Sequence, residues 1–272
     1  MIIINGLSLS EKSTFPGGEE HIRIPDLGTP ESILIDAKIR GSGDLMQLFL
    51  AADAVFTSYP YRDVILKVLY FPYARQDRAC RPGESYSLSV VANMIASLPF
   101  KRVIIADPHS PKVIQLLEAR NVSVQTVTTV DVFGNRPQPV LPNLLLVAPD
   151  KGAEKRVAEL ADFLLVPYIV FSKVRAESGN ITNMEYVSAS TKLDGPYNAL
   201  VIDDICDGGG TFLALAALLK PYGFLSVNLY VTHGIFSQGL EPLFTAGYSK
   251  IYTTNSFCDL APIKDKFYVW NV

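Results

Sequence analysis

The segment NALVIDDICDGGGTFLALAALL, residues 198–219, sets three carboxylates and three consecutive glycines between an apolar run and an Ala/Leu-rich stretch. Asp203 and Asp204 close the apolar run, Asp207 follows, and Gly208, Gly209, Gly210 and Thr211 lead into the next run. Glycines have no Cβ, so their backbone N–H groups can approach an anion closely, and the start of a helix adds partial positive charge behind them. A phosphate suits such a turn. The carboxylates cannot bind that same phosphate, because like charges repel, so they need a hydrogen-bond donor or a cation. Sugar hydroxyls and a hydrated metal ion both qualify. The turn lacks the Lys-Ser/Thr ending of a Walker A loop and the G-x-G-x-x-G spacing of a dinucleotide fingerprint. Taken alone, it is equally consistent with a simple tight turn.

Other apolar runs end in the same style. After VLYF come Arg75, Gln76, Asp77 and Arg78, and after RVIIA come Asp107 and His109. After LLLVA, Asp150, Lys151 and Gly152 lead into a helical pattern, and after PYIVF come Lys173 and Arg175. Charged residues often end strands as solvated punctuation. As a set, however, these supply phosphate-binding cations, oxygen and imidazole ligands for a divalent metal, and two glycine-bearing turns, which is equipment for handling polyphosphates.

Such residues need a scaffold that brings them to one edge. ESILIDAK, VILKVLY, RVIIAD, NLLLVAPD, YIVFSK, ALVIDD and LSVNLYVTHG read as strands by length and composition, whereas GDLMQLFLAADAVF, LSVVANMIASL, AEKRVAELADFL and TFLALAALL read as helices. The alternation predicts an α/β fold of mainly parallel sheets flanked by helices, with ligands beyond the carboxyl ends of the strands. At 272 residues the chain is long enough for two such domains. The proline-rich stretch VFGNRPQPVLPN marks the expected boundary, giving domains 1–133 and 134–272. A 49% hydrophobic and 19% charged composition excludes a disordered chain, and a net charge of −3 gives no general reason to expect nucleic-acid or membrane binding. No apolar run reaches the length of a membrane span, and MIIINGLSLS lacks the basic start of a signal peptide. Cys80, Cys206 and Cys258 have no C-x-x-C spacing, which points to a reducing compartment, buried or semi-buried thiols and no structural zinc. A cytoplasmic location is expected.

YFPYARQDR, DPHS, PDKGAEKR, SKVR, VIDDICDGGGT and VTHGIFSQG resemble, in order and spacing, the motifs of the ribose-phosphate diphosphokinase (phosphoribosyl diphosphate synthetase) family. The resemblance extends from TFPGGE to YTTN, nearly the whole chain. It implies two tandem phosphoribosyltransferase-like domains and, with Mg²⁺ as cofactor, transfer of the β,γ-diphosphate of ATP to the anomeric hydroxyl of ribose 5-phosphate. The products would be phosphoribosyl diphosphate and AMP. By this resemblance Arg75, Gln76 and His109 bind ATP, with Phe15, Gly17 and Glu19 reaching the adenine from a neighbouring subunit of a homo-oligomer. His109 and Asp150 hold magnesium, and Lys173 and Arg175 form the catalytic pair, with Asn180 at a matching place. Asp203 and Asp204 face the ribose hydroxyls, while Asp207, Gly208, Gly209, Gly210 and Thr211 cradle the 5-phosphate. His233 fits a structural or interface role and His21 a surface position.

The chain also departs from the family pattern. Gly208 stands where threonine is usual and Gly17 where Asp or Asn is common. ACRPGESYSLS differs from the family segment at that place, and FYVWNV closes the sequence without the family's last helix. A bare position 208 opens room for an acceptor whose 5-phosphate continues into another group, such as ADP-ribose. A type I phosphoribosyltransferase shares the D-D-x-x-D-x-G-G-T loop but consumes phosphoribosyl diphosphate, and FPYARQDR with DPHS favours the kinase. A non-catalytic regulatory relative would be expected to lose the segment that carries Lys173 and Arg175.

Overall fold

A computed structural model of the chain describes residues 1–135, 141–175, 181–190 and 195–272, with the side chains of 173–175 and 181–184 left out. It divides into two units, Met1–Val127 and Thr128–Val272.

The first unit runs β1 (Ile2–Ile4), β2 (Leu7–Ser8), β3 (Glu11–Thr14), β4 (Glu20–Arg23), β5 (Ser32–Ala37), α1 (Ser42–Ser58), β6 (Asp63–Lys67), α2 (Ser87–Ala96), β7 (Arg102–Ala106), α3 (Lys112–Glu118) and β8 (Ser123–Val127). Its sheet has the order β2-β1-β5-β6-β7-β8, with β5 to β8 parallel and β1 antiparallel to both neighbours, while β3 and β4 form a separate hairpin. Ile33 and Ile35 of β5, Leu66 of β6 and Val103 and Ile105 of β7 meet Leu48, Ala52 and Val55 of α1 and Leu88 and Ile95 of α2 in one core. The strand residues recur at a spacing of two and the helix residues at three and four, as the two geometries require.

The second unit runs α4 (Thr129–Gly134), β9 (Leu144–Ala148), α5 (Lys151–Leu164), β10 (Tyr168–Arg175), β11 (Ile181–Ala189), β12 (Asn198–Cys206), α6 (Gly210–Leu219), β13 (Ser226–Gly234), α7 (Glu241–Ala246), β14 (Tyr248–Thr254) and β15 (Phe267–Trp270). The sheet order is β11-β10-β9-β12-β13-β14-β15, parallel throughout except for β10 with β11. The chain passes from β9 to β10 on one side and returns through β12 on the other, so the strand order reverses between β9 and β12. In open α/β sheets the crevice beyond the carboxyl ends at such a reversal is where ligands bind.

The units divide ahead of the 133/134 boundary expected from the prolines. The reason is local: Thr128 and Asp131 form a reciprocal capping box that starts α4. Phe133 then packs its ring 4.8 Å from Tyr230 and 5.2 Å from Trp270, which ties α4 to the second core. Among the described residues, no helix is long and apolar enough to cross a membrane.

Candidate active site

The strand β12 carries the first site residues. It is buried along its length except at Ile205, and its pairing with β13 continues through Cys206 opposite Gly234. Asp203 and Asp204 therefore lie within the carboxyl-terminal end of the strand, where the sequence reading put them. Both are buried. The Asp204 N–H donates to Asp203 Oδ1 at 2.9 Å, and Arg156 Nη1 stands 3.6 Å from the same oxygen, with the two side chains only 14% and 12% exposed. Asp150 follows β9 and caps α5, its Oδ1 accepting the Ala153 N–H at 3.0 Å. A Cβ at residue 152 would sit 3.0 Å from that oxygen, which explains a glycine there. Burial, then the charges of Asp204 and Asp150, push the Asp203 carboxyl well above the ordinary range, and Arg156 opposes them. An apolar pocket would not tolerate this set of oxygens; cations or hydroxyl donors satisfy it.

The glycine turn follows. Gly209 adopts a left-handed conformation, φ 79°, and accepts the N–H groups of Phe212 and Leu213, so it starts α6 without any side-chain cap. A Cβ at 209 would touch Leu243 Cδ2 at 3.4 Å. Gly208 has no positive φ, and a Cβ there would lie 3.9 Å from Gln238 Cγ and 4.0 Å from Ser237 Oγ, in ordinary contact. The segment after β13 is drawn over this turn because the N–H groups of Ile235 and Phe236 both donate to the Cys206 carbonyl. A helix start lined by glycine and left uncapped by side chains is built to receive an anion. Beneath it, burial and the charges of Asp203 and Asp207 push the Cys206 thiol up to about 12. His233 is buried with Nδ1 2.7 Å from Ser256 Oγ, in a network that also holds the Thr232 carbonyl, as a structural histidine would be.

In the first unit, two motifs share adjacent strand ends. Arg75 and Gln76 are exposed on the loop after β6. Lys112 at the start of α3 donates from Nζ to the Asp77 carbonyl at 2.8 Å and stands 3.4 Å from Asp77 Oδ2, tying that loop to the DPHS turn. Asp107 is buried at φ 35°, a conformation rare for a residue with a side chain, and its N–H donates to the Val127 carbonyl. His109 is exposed. Phe15, Gly17 and Glu19 form the exposed tip of the β3–β4 hairpin, closed by Phe15 N–H to the Glu19 carbonyl and Gly18 N–H to the Phe15 carbonyl. His21 lies beside this tip, partly exposed, 3.9 Å from Glu11 Oε1.

Lys173 and Arg175 sit on β10 opposite Met184 and Ile181 of β11, with their side chains outside the described residues, as is all of Asn180. The second unit thus gathers Asp150, Asp203, Asp204 and the 207–211 turn, while the first gathers Arg75–Arg78 and Asp107–His109. His109 and Asp150 belong to different units. Among the described residues, no group of three or more His, Cys, Asp or Glu side chains is arranged to hold a metal by itself. Arg156 is the residue that the sequence reading passed over, although it lies within PDKGAEKR. The fold places it: Ala153, Val157, Leu160 and Ala161 are the buried stripe of α5, and residue 156 occupies the i+3 position of that stripe.

Comparison with known proteins settles the lineage. Residues 141–264 match the family model described as phosphoribosyl transferase domain, which spans Asp150, Asp203, Asp204 and the glycine turn. Over 258 residues the chain is 32% identical to the ribose-phosphate pyrophosphokinase of Aquifex aeolicus, covering 92% of this chain and 80% of that protein. The chain belongs to the ribose-phosphate pyrophosphokinase family. Another ribose-phosphate pyrophosphokinase, from Thermococcus kodakarensis, is 28% identical over 246 residues, 90% of this chain and 85% of the relative. Among solved structures, phosphoribosylpyrophosphate synthetase from Mycobacterium smegmatis matches with a TM-score of 0.73 at 20% identity, covering 97% of this chain and 86% of its own. That match carries the fold. Membership in the ribose-phosphate pyrophosphokinase family makes the chain a transferase with two phosphoribosyltransferase-like sheets, as the motif resemblance implied.

Proposed function

We propose that this chain transfers the β,γ-diphosphate of ATP to the anomeric hydroxyl of ribose 5-phosphate, giving phosphoribosyl diphosphate and AMP. The observation that carries the reading is the juxtaposition in the second unit of a buried aspartate pair with an uncapped, glycine-lined helix start. The turn of residues 207–211 receives the 5-phosphate through backbone N–H groups, and Asp203 and Asp204 accept hydrogen bonds from the sugar hydroxyls. Orientation of the acceptor is then set from two ends. Arg75, Gln76 and His109 take the nucleotide, with the Phe15–Glu19 tip of a neighbouring subunit against the base. Lys173 and Arg175 neutralise charge that develops on the transferred and leaving phosphates, and such preorganised donors are worth roughly a hundredfold or more each.

Magnesium fits this chemistry. It is commonly bound through one or two carboxylates and the substrate phosphates, without a protein-only cage. The crowding of Asp150, Asp203 and Asp204, opposed by Arg156, leaves a local excess of negative charge suited to a hard cation. When bound with the nucleotide, the ion would neutralise phosphate charge, with Asp150 as its protein ligand in the second unit.

The absence of a side chain at residue 208 motivates a second reading of the acceptor, in which the 5-phosphate continues into a further group, although a Cβ there would already be in ordinary contact with Gln238 Cγ. Incubation with ATP and Mg²⁺ and either ribose 5-phosphate or ADP-ribose, with products identified by mass, decides between them. A product from ribose 5-phosphate alone is expected. A product from ADP-ribose alone would replace the acceptor, and no product from either would remove the proposal.

A further inference from the structure

Two adjacent buried carboxylates are a costly arrangement, since burial and mutual repulsion both disfavour their charged forms. Asp203 and Asp204 are such a pair, and Asp150 adds a third charge close enough to be felt at Asp203. The partner that opposes them is delivered by α5. Arg156 occupies a position on the buried stripe of that helix where the spacing calls for an apolar residue, and its side chain is 14% exposed. Its Nη1 stands 3.6 Å from Asp203 Oδ1, the oxygen that also accepts the Asp204 N–H. One carboxylate oxygen therefore accepts a hydrogen bond from the backbone of its own strand and forms an ion pair with a guanidinium from the facing helix. A planar guanidinium keeps its charge at any working pH and restrains a carboxylate directionally, which a flexible ammonium does less well.

We propose that Arg156 is a positioning residue for the acceptor: it fixes the Asp203 carboxylate and balances the aspartate pair so that the pair can receive the sugar hydroxyls. The inference rests on the reading of Asp203 and Asp204 as the sugar-binding carboxylates. Arg156 acts through Asp203, so its removal should be felt in acceptor binding and not in nucleotide binding. Its effect should also disappear once residue 203 no longer carries a charge to be balanced.

The test uses the full-length protein as wild type, Arg156→Met, Arg156→Lys, Asp203→Asn and the double variant Arg156→Met/Asp203→Asn. Binding of ribose 5-phosphate is measured by calorimetry without nucleotide, KM for both substrates by steady-state rates, and folding by thermal melts. Arg156→Met is expected to weaken ribose 5-phosphate binding tenfold or more and to raise its KM in step, with the KM for ATP within twofold of wild type. Arg156→Lys should recover part of the loss, and in the Asp203→Asn background Arg156→Met should add less than threefold. Equal binding by wild type and Arg156→Met would overturn the positioning role while leaving the proposed reaction intact. Loss that adds in full to that of Asp203→Asn, or that falls equally on both substrates, would overturn it as well. A wild-type protein that binds no ribose 5-phosphate would remove the sugar-binding reading and this inference with it. Should Arg156→Met fail to fold, Arg156→Lys decides: an unchanged KM for ribose 5-phosphate sustains the need for charge alone and overturns directional positioning, whereas a selective rise of threefold or more supports it.

Discussion

At the scale of single residues, the glycine turn separates conformational need from chemical need. Gly209 is required by its backbone: at φ 79° a side chain costs roughly 1–2 kcal/mol, and a Cβ would press on Leu243. Gly209→Ala should lower the melting temperature and raise the KM for ribose 5-phosphate together. Gly208 has no positive φ and has room, so Gly208→Thr should melt as wild type does. Its added hydroxyl offers a hydrogen bond to a charged group, worth about 1.5–3 kcal/mol, and should shift relative kcat/KM toward ribose 5-phosphate over ADP-ribose by tenfold or more. Steady-state rates with both acceptors read this out, and a Gly208→Thr protein that gains nothing on ribose 5-phosphate would assign phosphate binding to the backbone alone. The cysteines give a second residue-scale test. Cys80 is exposed, Cys258 is buried, and Cys206 is buried with its thiol held up to about 12. Because the thiolate is the reactive form, only one of the three thiols should be alkylated in the folded protein at pH 8, with all three reacting in denaturant. Rapid native labelling of Cys206, mapped by peptide mass, would contradict the buried carboxylate environment described for it.

At the scale of elements, Asp150 has two separable duties. It caps α5, and it is the residue assigned to magnesium in the proposed reaction. Asparagine is as good a helix cap as aspartate but carries no charge. Asp150→Asn should therefore melt near wild type yet need higher Mg²⁺ for activity, whereas Asp150→Ala should show that need and also lose about 1 kcal/mol of stability. Equal magnesium dependence of wild type and Asp150→Asn would leave the residue as a cap only. The elements also show where sequence reading works. β5, β7, β9, β12 and β13 were legible because each carries a near-continuous or alternating apolar run, and α1, α2, α5 and α6 because their residues recur at helical spacing. The run VILKVLY reads as one strand to Tyr70, but β6 closes at Lys67, since the following residues turn into the Arg75 loop. β3 and β4 were missed because EKST and EHIR carry no apolar run or clear alternation, β3 being exposed throughout and β4 only partly buried. α3 and α7 are two turns or less, too short to display a period. Asp203, Asp204 and the glycines were visible as chemistry. Arg156 was not, because only the fold reveals that a lysine- and arginine-rich stretch turns one of its cations inward while Lys155 stays on the surface beside Glu159.

At the scale of the whole molecule, each unit places candidate site residues beyond or at the carboxyl ends of parallel strands, Arg75, Gln76 and His109 in the first and Asp150, Asp203 and Asp204 in the second, the latter at the strand-order reversal. The central claim is that this equipment moves a diphosphoryl group as one piece to a sugar. It is tested most directly by following ATP, Mg²⁺ and ribose 5-phosphate with the enzyme by ³¹P NMR. The account predicts that ATP resonances are replaced one for one by those of AMP and of a diphosphate bonded to C1 of the sugar, and that omitting ribose 5-phosphate stops AMP formation. Appearance of ADP, or AMP released equally fast without the sugar, would contradict it.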